Sequence, residues 1–115
     1  MRVIIAGSRC LLDFSVVEAA IKNSEFKITE VVSGMCTGPD LLGERWAAIY
    51  NVPVIRFPAD WNRYGRAAGP IRNKQMADHA QALIACYDGV SRGTASMIKL
   101  AREKNLKIYI HKVRE

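Results

Sequence analysis

The stretch Met1-Arg2-Val3-Ile4-Ile5-Ala6-Gly7-Ser8-Arg9 decides how the rest of the chain is read. Val3–Ala6 is a short apolar run without period-2 alternation, the pattern of a strand buried on both faces. It stops at Gly7-Ser8-Arg9, a loop of small residues closed by a cation. A helical pattern follows, with Phe14, Val17 and Ile21 on one face. Strand, glycine loop and amphipathic helix form the first half of a βαβ unit.

The unit recurs. Further apolar runs lie at Val31–Ser33, Pro53–Phe57, Ala82–Cys86 and Lys107–Ile110. Between them, Leu41, Leu42, Arg45, Trp46 and Ile49 share a helical face. A third helix should start near Pro70 and carry Ile71 and Met76, and a last one should carry Met97, Ile98 and Ala101. Gly38-Pro39 and Gly69-Pro70 put proline just inside two helices, where its missing N–H costs nothing. The expectation is an α/β, Rossmann-like, doubly wound and mainly parallel five-stranded sheet with helices on both faces. Right-handed crossovers favour the strand order 3-2-1-4-5. The 115 residues suit one domain, spanning 1–115.

Three loops follow strands in this scheme: Gly7-Ser8-Arg9, Ser33 through Gly38, and Asp88 through Thr94. With strands two, one and four adjacent, all three converge on one crevice at the carboxyl ends of the strands. Glycines let a backbone approach an anion, and helix N-termini offer N–H donors. Ser8, Ser33, Thr37, Ser91 and Thr94 add hydroxyls, while Arg9 and Arg92 add guanidinium groups that clamp phosphate or carboxylate. No loop reads G-x-G-x-x-G or G-x-x-x-x-G-K-[ST], so neither a dinucleotide dehydrogenase nor a P-loop NTPase is supported.

Composition narrows the partners. Seventeen Lys/Arg against eleven Asp/Glu give a net charge of +6, which suits an anionic ligand. The segment Arg56–Lys74 holds five basic residues and one acid, Asp60, beside Trp61 and Tyr64. It reads as a long loop over the crevice, with an aromatic ring for a base and arginines for a phosphate. The C-terminal stretch Lys99–Glu115 is equally basic but reads as a solvated face. With Arg9 and Arg92 opposite the middle segment, the charge points to one small phosphate-bearing ligand. The cysteines Cys10, Cys36 and Cys86 are odd in number and lack C-x-x-C spacing, so the expectation is a reduced, cytoplasmic chain without disulfides or a metal site. No apolar run reaches the ~20 residues of a membrane span, and no signal-peptide cleavage pattern is present.

On these residues a resemblance rests. The chain resembles the SLOG superfamily, in particular its small branch related to YspA and YpsA. The matching motifs are Gly7-Ser8-Arg9 with Asp13; Ser33-Gly34 through Gly38 and Asp40; Pro58-Ala59-Asp60-Trp61 with Gly65, Ala68-Gly69-Pro70, Arg72-Asn73 and Met76; and Asp88-Gly89 with Ser91-Arg92-Gly93-Thr94. The resemblance implies a Rossmann-like fold that binds nucleotides or nucleotide-derived ligands. It also implies that Gly89, Gly93 and Thr94 belong to the ligand loop, and that Arg72 and Asn73 stand where related phosphoribohydrolases of the LONELY GUY type carry their helical arginine. Two departures stand out. The catalytic glutamate of those hydrolases falls on Met97, which can neither transfer a proton nor stabilise a cation. Met35 replaces a glycine of many relatives.

The leading expectation is therefore a sensor or sequestering module for a nucleotide or an ADP-ribose-like ligand, with no cofactor of its own. The alternative is a nucleotide hydrolase or N-glycosidase that uses Arg72 and one of Asp13, Asp40, Asp60 and Asp88, Asp60 foremost. Asp40 is also placed to compensate its helix dipole or to bond a ribose hydroxyl, and Asp88 to shape its turn. Single-stranded nucleic-acid binding ranks third, because no strand interleaves basic and aromatic residues. A homodimer or higher homo-oligomer is expected from the apolar helix faces.

Overall fold

The computed structural model describes residues 1–113. Arg114 and Glu115, which belong to the basic C-terminal stretch, lie outside the described residues. Strand β1 (Arg2–Gly7) leads to helix α1 (Phe14–Ser24), then β2 (Glu30–Ser33), α2 (Pro39–Ile49) and β3 (Val54–Arg56). A four-residue helix α3 (Trp61–Tyr64) and a 3-10 turn (Gly65–Ala67) precede α4 (Ala68–His79). The chain continues through β4 (Ala82–Tyr87), α5 (Arg92–Glu103) and β5 (Lys107–Lys112). All five strands are parallel, in the order β3-β2-β1-β4-β5. That is the expected order, and it puts β1 at the centre, with Val3 beside Val31 on one side and Ala82 on the other.

The alternation hidden in the apolar run of β1 sorts the helices. Val3 and Ile5 point into one core with Val17, Ala20 and Ile21 of α1 and Ala47 of α2. Ile4 and Ala6 point into a second core with Met76 and Ala77 of α4 and Met97, Ile98 and Ala101 of α5. Helices thus cover both faces, and every central strand position is apolar because neither face meets water. Ile4 and Ile5 are fully buried, and side chains of this size contribute about 1.5–3 kcal/mol each on burial.

The elements differ from the sequence reading where the chain crosses between the sheet's two faces. Strand three is shorter than expected: it is an edge strand and ends at Arg56. The segment read as a long loop winds into α3, because the Asp60 carboxylate accepts the Arg63 N–H at 3.1 Å and caps it. Helix α4 begins at Ala68 rather than near Pro70, since Ala67 already has helical dihedrals. Gly69 therefore lies in the first turn and caps nothing. Pro70 sits in the same turn, where N–H groups lack helical partners in any case.

Candidate functional site

The carboxyl ends of β1, β2 and β4 open onto two adjoining clefts. The first, of about 340 Å³, is lined by Gly7, Ser8 and Arg9 after β1, Asp40 of α2, Arg72 and Asn73 of α4, and Asp88, Ser91, Gly93 and Thr94 around the start of α5. Ala6, Cys10, Cys36 and Met76 complete its wall. The second, of about 450 Å³, is lined by Gly34, Met35 and Thr37 after β2 and by Pro58, Ala59 and Trp61 beside α3. Arg9, Cys36 and Arg72 border both.

Backbone geometry locks the first two loops together. Gly38 has φ +94°, a left-handed conformation that favours glycine. A Cβ there would also come within 2.7 Å of the Ser8 carbonyl oxygen. Helix α2 therefore starts directly against the loop after β1, with Pro39 in its first turn and no side-chain cap.

Behind the clefts runs a buried polar network. Arg72, almost wholly buried, donates from Nη1 to the Gly34 carbonyl at 2.6 Å and from Nε to Asn73 Oδ1 at 2.9 Å. Its Nη2 faces the Cys36 sulfur at 3.6 Å. Gly34 in turn donates its N–H to Asp40 Oδ2 at 3.1 Å. Burial pushes the Asp40 carboxyl up to about 6, against the pull of the Arg72 charge and neighbouring backbone N–H groups.

Two further groups face the first cleft. Asp88 Oδ1 accepts the N–H groups of Val90 and Ser91, at 2.9 and 2.8 Å, and so shapes its turn as expected. The Ser8 hydroxyl beside it and those two N–H groups hold the Asp88 carboxyl below the usual range. Ser8 Oγ itself is buried and meets no partner at hydrogen-bond geometry among the described residues. Thr94 and Ser91 pair their hydroxyls at 3.0 Å.

Several sequence candidates lie elsewhere. Ser33 is fully buried and donates to Glu44, which also binds Arg56. This chain ties β2, α2 and β3 and leaves the hydroxyl unavailable. Gly38 shapes the α2 start, and Gly89 (φ +89°) shapes its own turn; neither borders a cleft. Arg92 is exposed outside both clefts. Asp60 caps α3 and borders a smaller hollow with Arg63 and Tyr64, and Asp13 caps α1 through Ser15. Of the basic group Arg56–Lys74, Arg72 is the member that borders the two clefts. Arg56 pairs with Glu44 and Arg63 lies 5.1 Å over the Tyr64 ring. Met97, at the hydrolases' glutamate position, packs in the core. Sequence reading missed Met76 as a cleft residue, although it lies one turn beyond Arg72 on the same helix face.

Among the described residues no cluster of three or more His, Cys, Asp or Glu side chains could hold a metal ion, and no helix is long and apolar enough to cross a membrane. The solved X-ray structure of DNA processing protein A from Streptococcus pneumoniae superposes with a TM-score of 0.76 at 18% sequence identity. The likeness covers 95% of this chain and 49% of that one, so the chain spans about half that protein's length, and it establishes a shared fold. No curated protein matches the chain. Residues 1–64, which run from β1 through the first two loops to the end of α3, match the profile of the YspA, cpYpsA-related SLOG family. The match takes in more than half of the sequence, and the chain belongs to that family.

Proposed function

We propose that the chain binds a nucleotide or a nucleotide-derived ligand in the paired clefts, as a sensor or sequestering module. The observation that carries this reading is the convergence of the Gly7-Ser8-Arg9 loop, Arg72 and the start of α5 on one cleft. Arg9 and Arg72 supply cationic donors at the border of both clefts, and Trp61 supplies a ring. Calorimetry of the folded protein against nucleoside monophosphates, ADP-ribose and cyclic ADP-ribose isomers tests the reading. Heat of binding with at least one is expected; silence from all of them overturns it.

One observation favours a catalytic variant of this reading. Asp40 alone among the four candidate carboxylates is buried in a cleft, and with a pKa near 6 it is suited to proton transfer around neutral pH. Release of the base from a nucleoside monophosphate, abolished in Asp40→Asn, would support it. The exposed run of Trp61, Arg63, Tyr64 and Arg66 favours single-stranded nucleic acid as a third reading. The fold shared with a DNA processing protein points the same way. That reading predicts binding that weakens steeply with salt. Self-association through α2, which exposes Leu41 and Ile49 beside Tyr50, belongs to the same proposal, and sedimentation velocity over a concentration series tests it.

A further inference from the structure

Two cysteines border the first cleft, and the fold sets the chain's thiols in unequal surroundings. Cys10 is exposed and Cys36 partly buried, while Cys86 is buried in β4. We propose that Cys36 and Cys10 form a peroxide-reactive thiol pair, which closes to an intramolecular disulfide and so gates the clefts. The thiol chemistry stands apart from the nucleotide-binding reading above; the gating rests on it.

Cys36 has the setting of a reactive thiol. Its sulfur lies 3.6 Å from Arg72 Nη2, the nitrogen that Arg72 spends on neither Gly34 nor Asn73. Its backbone is held as well, because its N–H is one of the groups that pull on the Asp40 carboxyl. A cation beside a partly exposed sulfur marks the cysteines that react, whereas buried ones are inert. Cys86 is the inert case. It packs in the core with Val3 and Ile5, and burial pushes its thiol up to about 12.

Cys10 is placed as the second thiol. It sits in a turn closed by the Leu11 N–H, which donates to the Ser8 carbonyl at 3.1 Å. A Cβ on Gly38, two residues beyond Cys36, would lie 3.1 Å from the Arg9 Cα and 3.2 Å from the Leu11 carbonyl oxygen. The two loops therefore touch at both chain neighbours of Cys10. A disulfide needs its Cα atoms within roughly 7 Å, a range that loops in contact reach by a local backbone shift. Oxidation proceeds in two steps. The Cys36 sulfur attacks a hydroperoxide: an S–O bond forms, the O–O bond breaks, and the thiol proton leaves with the other oxygen as water or alcohol. Cys36 is oxidised to a sulfenic acid and the peroxide is reduced. The Cys10 sulfur then attacks the Cys36 sulfur: the S–S bond forms, the S–O bond breaks, and the hydroxyl departs with the Cys10 proton as water. The disulfide ends at Cys36, on the border that the two clefts share, and narrows the way between them.

Hydrogen peroxide added to the reduced full chain, followed by mass spectrometry and a non-reducing gel, tests the pair. The chain should lose the hydrogens of both thiols, form no covalent dimer and yield a peptide that joins Cys10 to Cys36, all reversed by dithiothreitol. In Cys10→Ser, dimedone should trap a sulfenic acid on Cys36; in Cys36→Ser, it should label Cys10 far less. Cys86 should stay unmodified throughout, which also reports that each variant is folded. Covalent dimers through Cys10, absence of the Cys10–Cys36 peptide, or equal dimedone labelling in the two variants overturns the pair. The gating is read by calorimetry with the nucleotides named above. A ligand of the reduced chain should lose affinity for the disulfide form. Equal affinity overturns the gating and leaves the thiol pair standing. Silence from the reduced and the disulfide forms alike overturns the nucleotide reading, and the gating with it, and again leaves the pair.

Discussion

Arg72 reaches across from α4 to place Nη1 2.6 Å from the carbonyl oxygen of Gly34. The Gly34 N–H goes to Asp40, so the backbone of one residue sits between a buried cation and a buried carboxylate. This arrangement fixes the loop after β2 and makes the floor of the site part of the stability of the fold.

The first prediction concerns that cation. Arg72→Ala leaves the Gly34 carbonyl and the Asp40 carboxyl without the guanidinium, and truncating one partner of a buried charged network costs roughly 3–5 kcal/mol. Arg72→Lys keeps the charge but cannot serve Gly34 and Asn73 together, because an ammonium lacks the planar fork. A smaller loss, about 1–2 kcal/mol, is expected for it. Urea unfolding of the two variants against wild type checks both the size and the ranking.

The second prediction is a pH dependence. The folded Asp40 carboxyl titrates at about 6 and its ordinary value is 3.8. Between those values the folded state holds a proton that the unfolded state releases, so stability falls as pH rises through that window. A displacement of this size corresponds to about 3 kcal/mol. Asp13, Asp78 and Asp88 have lowered values and act below pH 4 with the opposite sign. They remain in Asp40→Asn. The stability difference, wild type minus Asp40→Asn, should therefore decline between pH 4 and pH 6 and level off above. Denaturation midpoints at half-unit steps of pH give the curve, and a flat difference contradicts it.

A third prediction contrasts two glycines of the site. A Cβ on Gly34 would stand 2.8 Å from Asp40 Oδ2 and 2.9 Å from Arg72 Nη1, groups that are held by the network and cannot withdraw. Gly34→Ala should cost about 1–3 kcal/mol, the usual range for overpacking. Gly93 has open space where its Cβ would be and lies in the first turn of α5. Gly93→Ala should be neutral or slightly stabilising, by up to ~1 kcal/mol. Thermal unfolding of the pair separates a glycine required by the fold from one that the fold tolerates losing.

The layout of the sheet was legible because it depends on gross pattern. Val3–Ala6, Ala82–Cys86 and their neighbours are apolar on both faces, and right-handed connection leaves few orders for five such strands. The convergence of the loops followed from the strand order. What escaped was pairing between distant side chains. Ser33 looks like a phosphate donor in sequence, and only the approach of α2 brings Glu44 to its hydroxyl. Arg72 reads as a ligand clamp, and its burial against Gly34 depends on how α4 lies over β1 and β2. The helix inside Arg56–Lys74 was hidden because its four residues carry no period long enough to register, and the Asp60 cap is its clearest signal.

The last prediction uses the buried hydroxyl of Ser8. In most buried positions Ser→Ala breaks a hydrogen bond and lowers stability. Here Oγ has no partner at hydrogen-bond geometry among the described residues, and what it gives the fold is its pull on the neighbouring Asp88 carboxyl. Ser8→Ala should therefore shift stability by no more than ~1 kcal/mol. If the hydroxyl exists to meet a ligand, affinity should fall about fivefold, the worth of one neutral hydrogen bond. Unfolding and calorimetry on the same preparation measure the two together. Little change in stability with a loss of binding is the signature of a group kept for function. A larger loss of stability would mean that Ser8 serves the fold, through its neighbour Asp88.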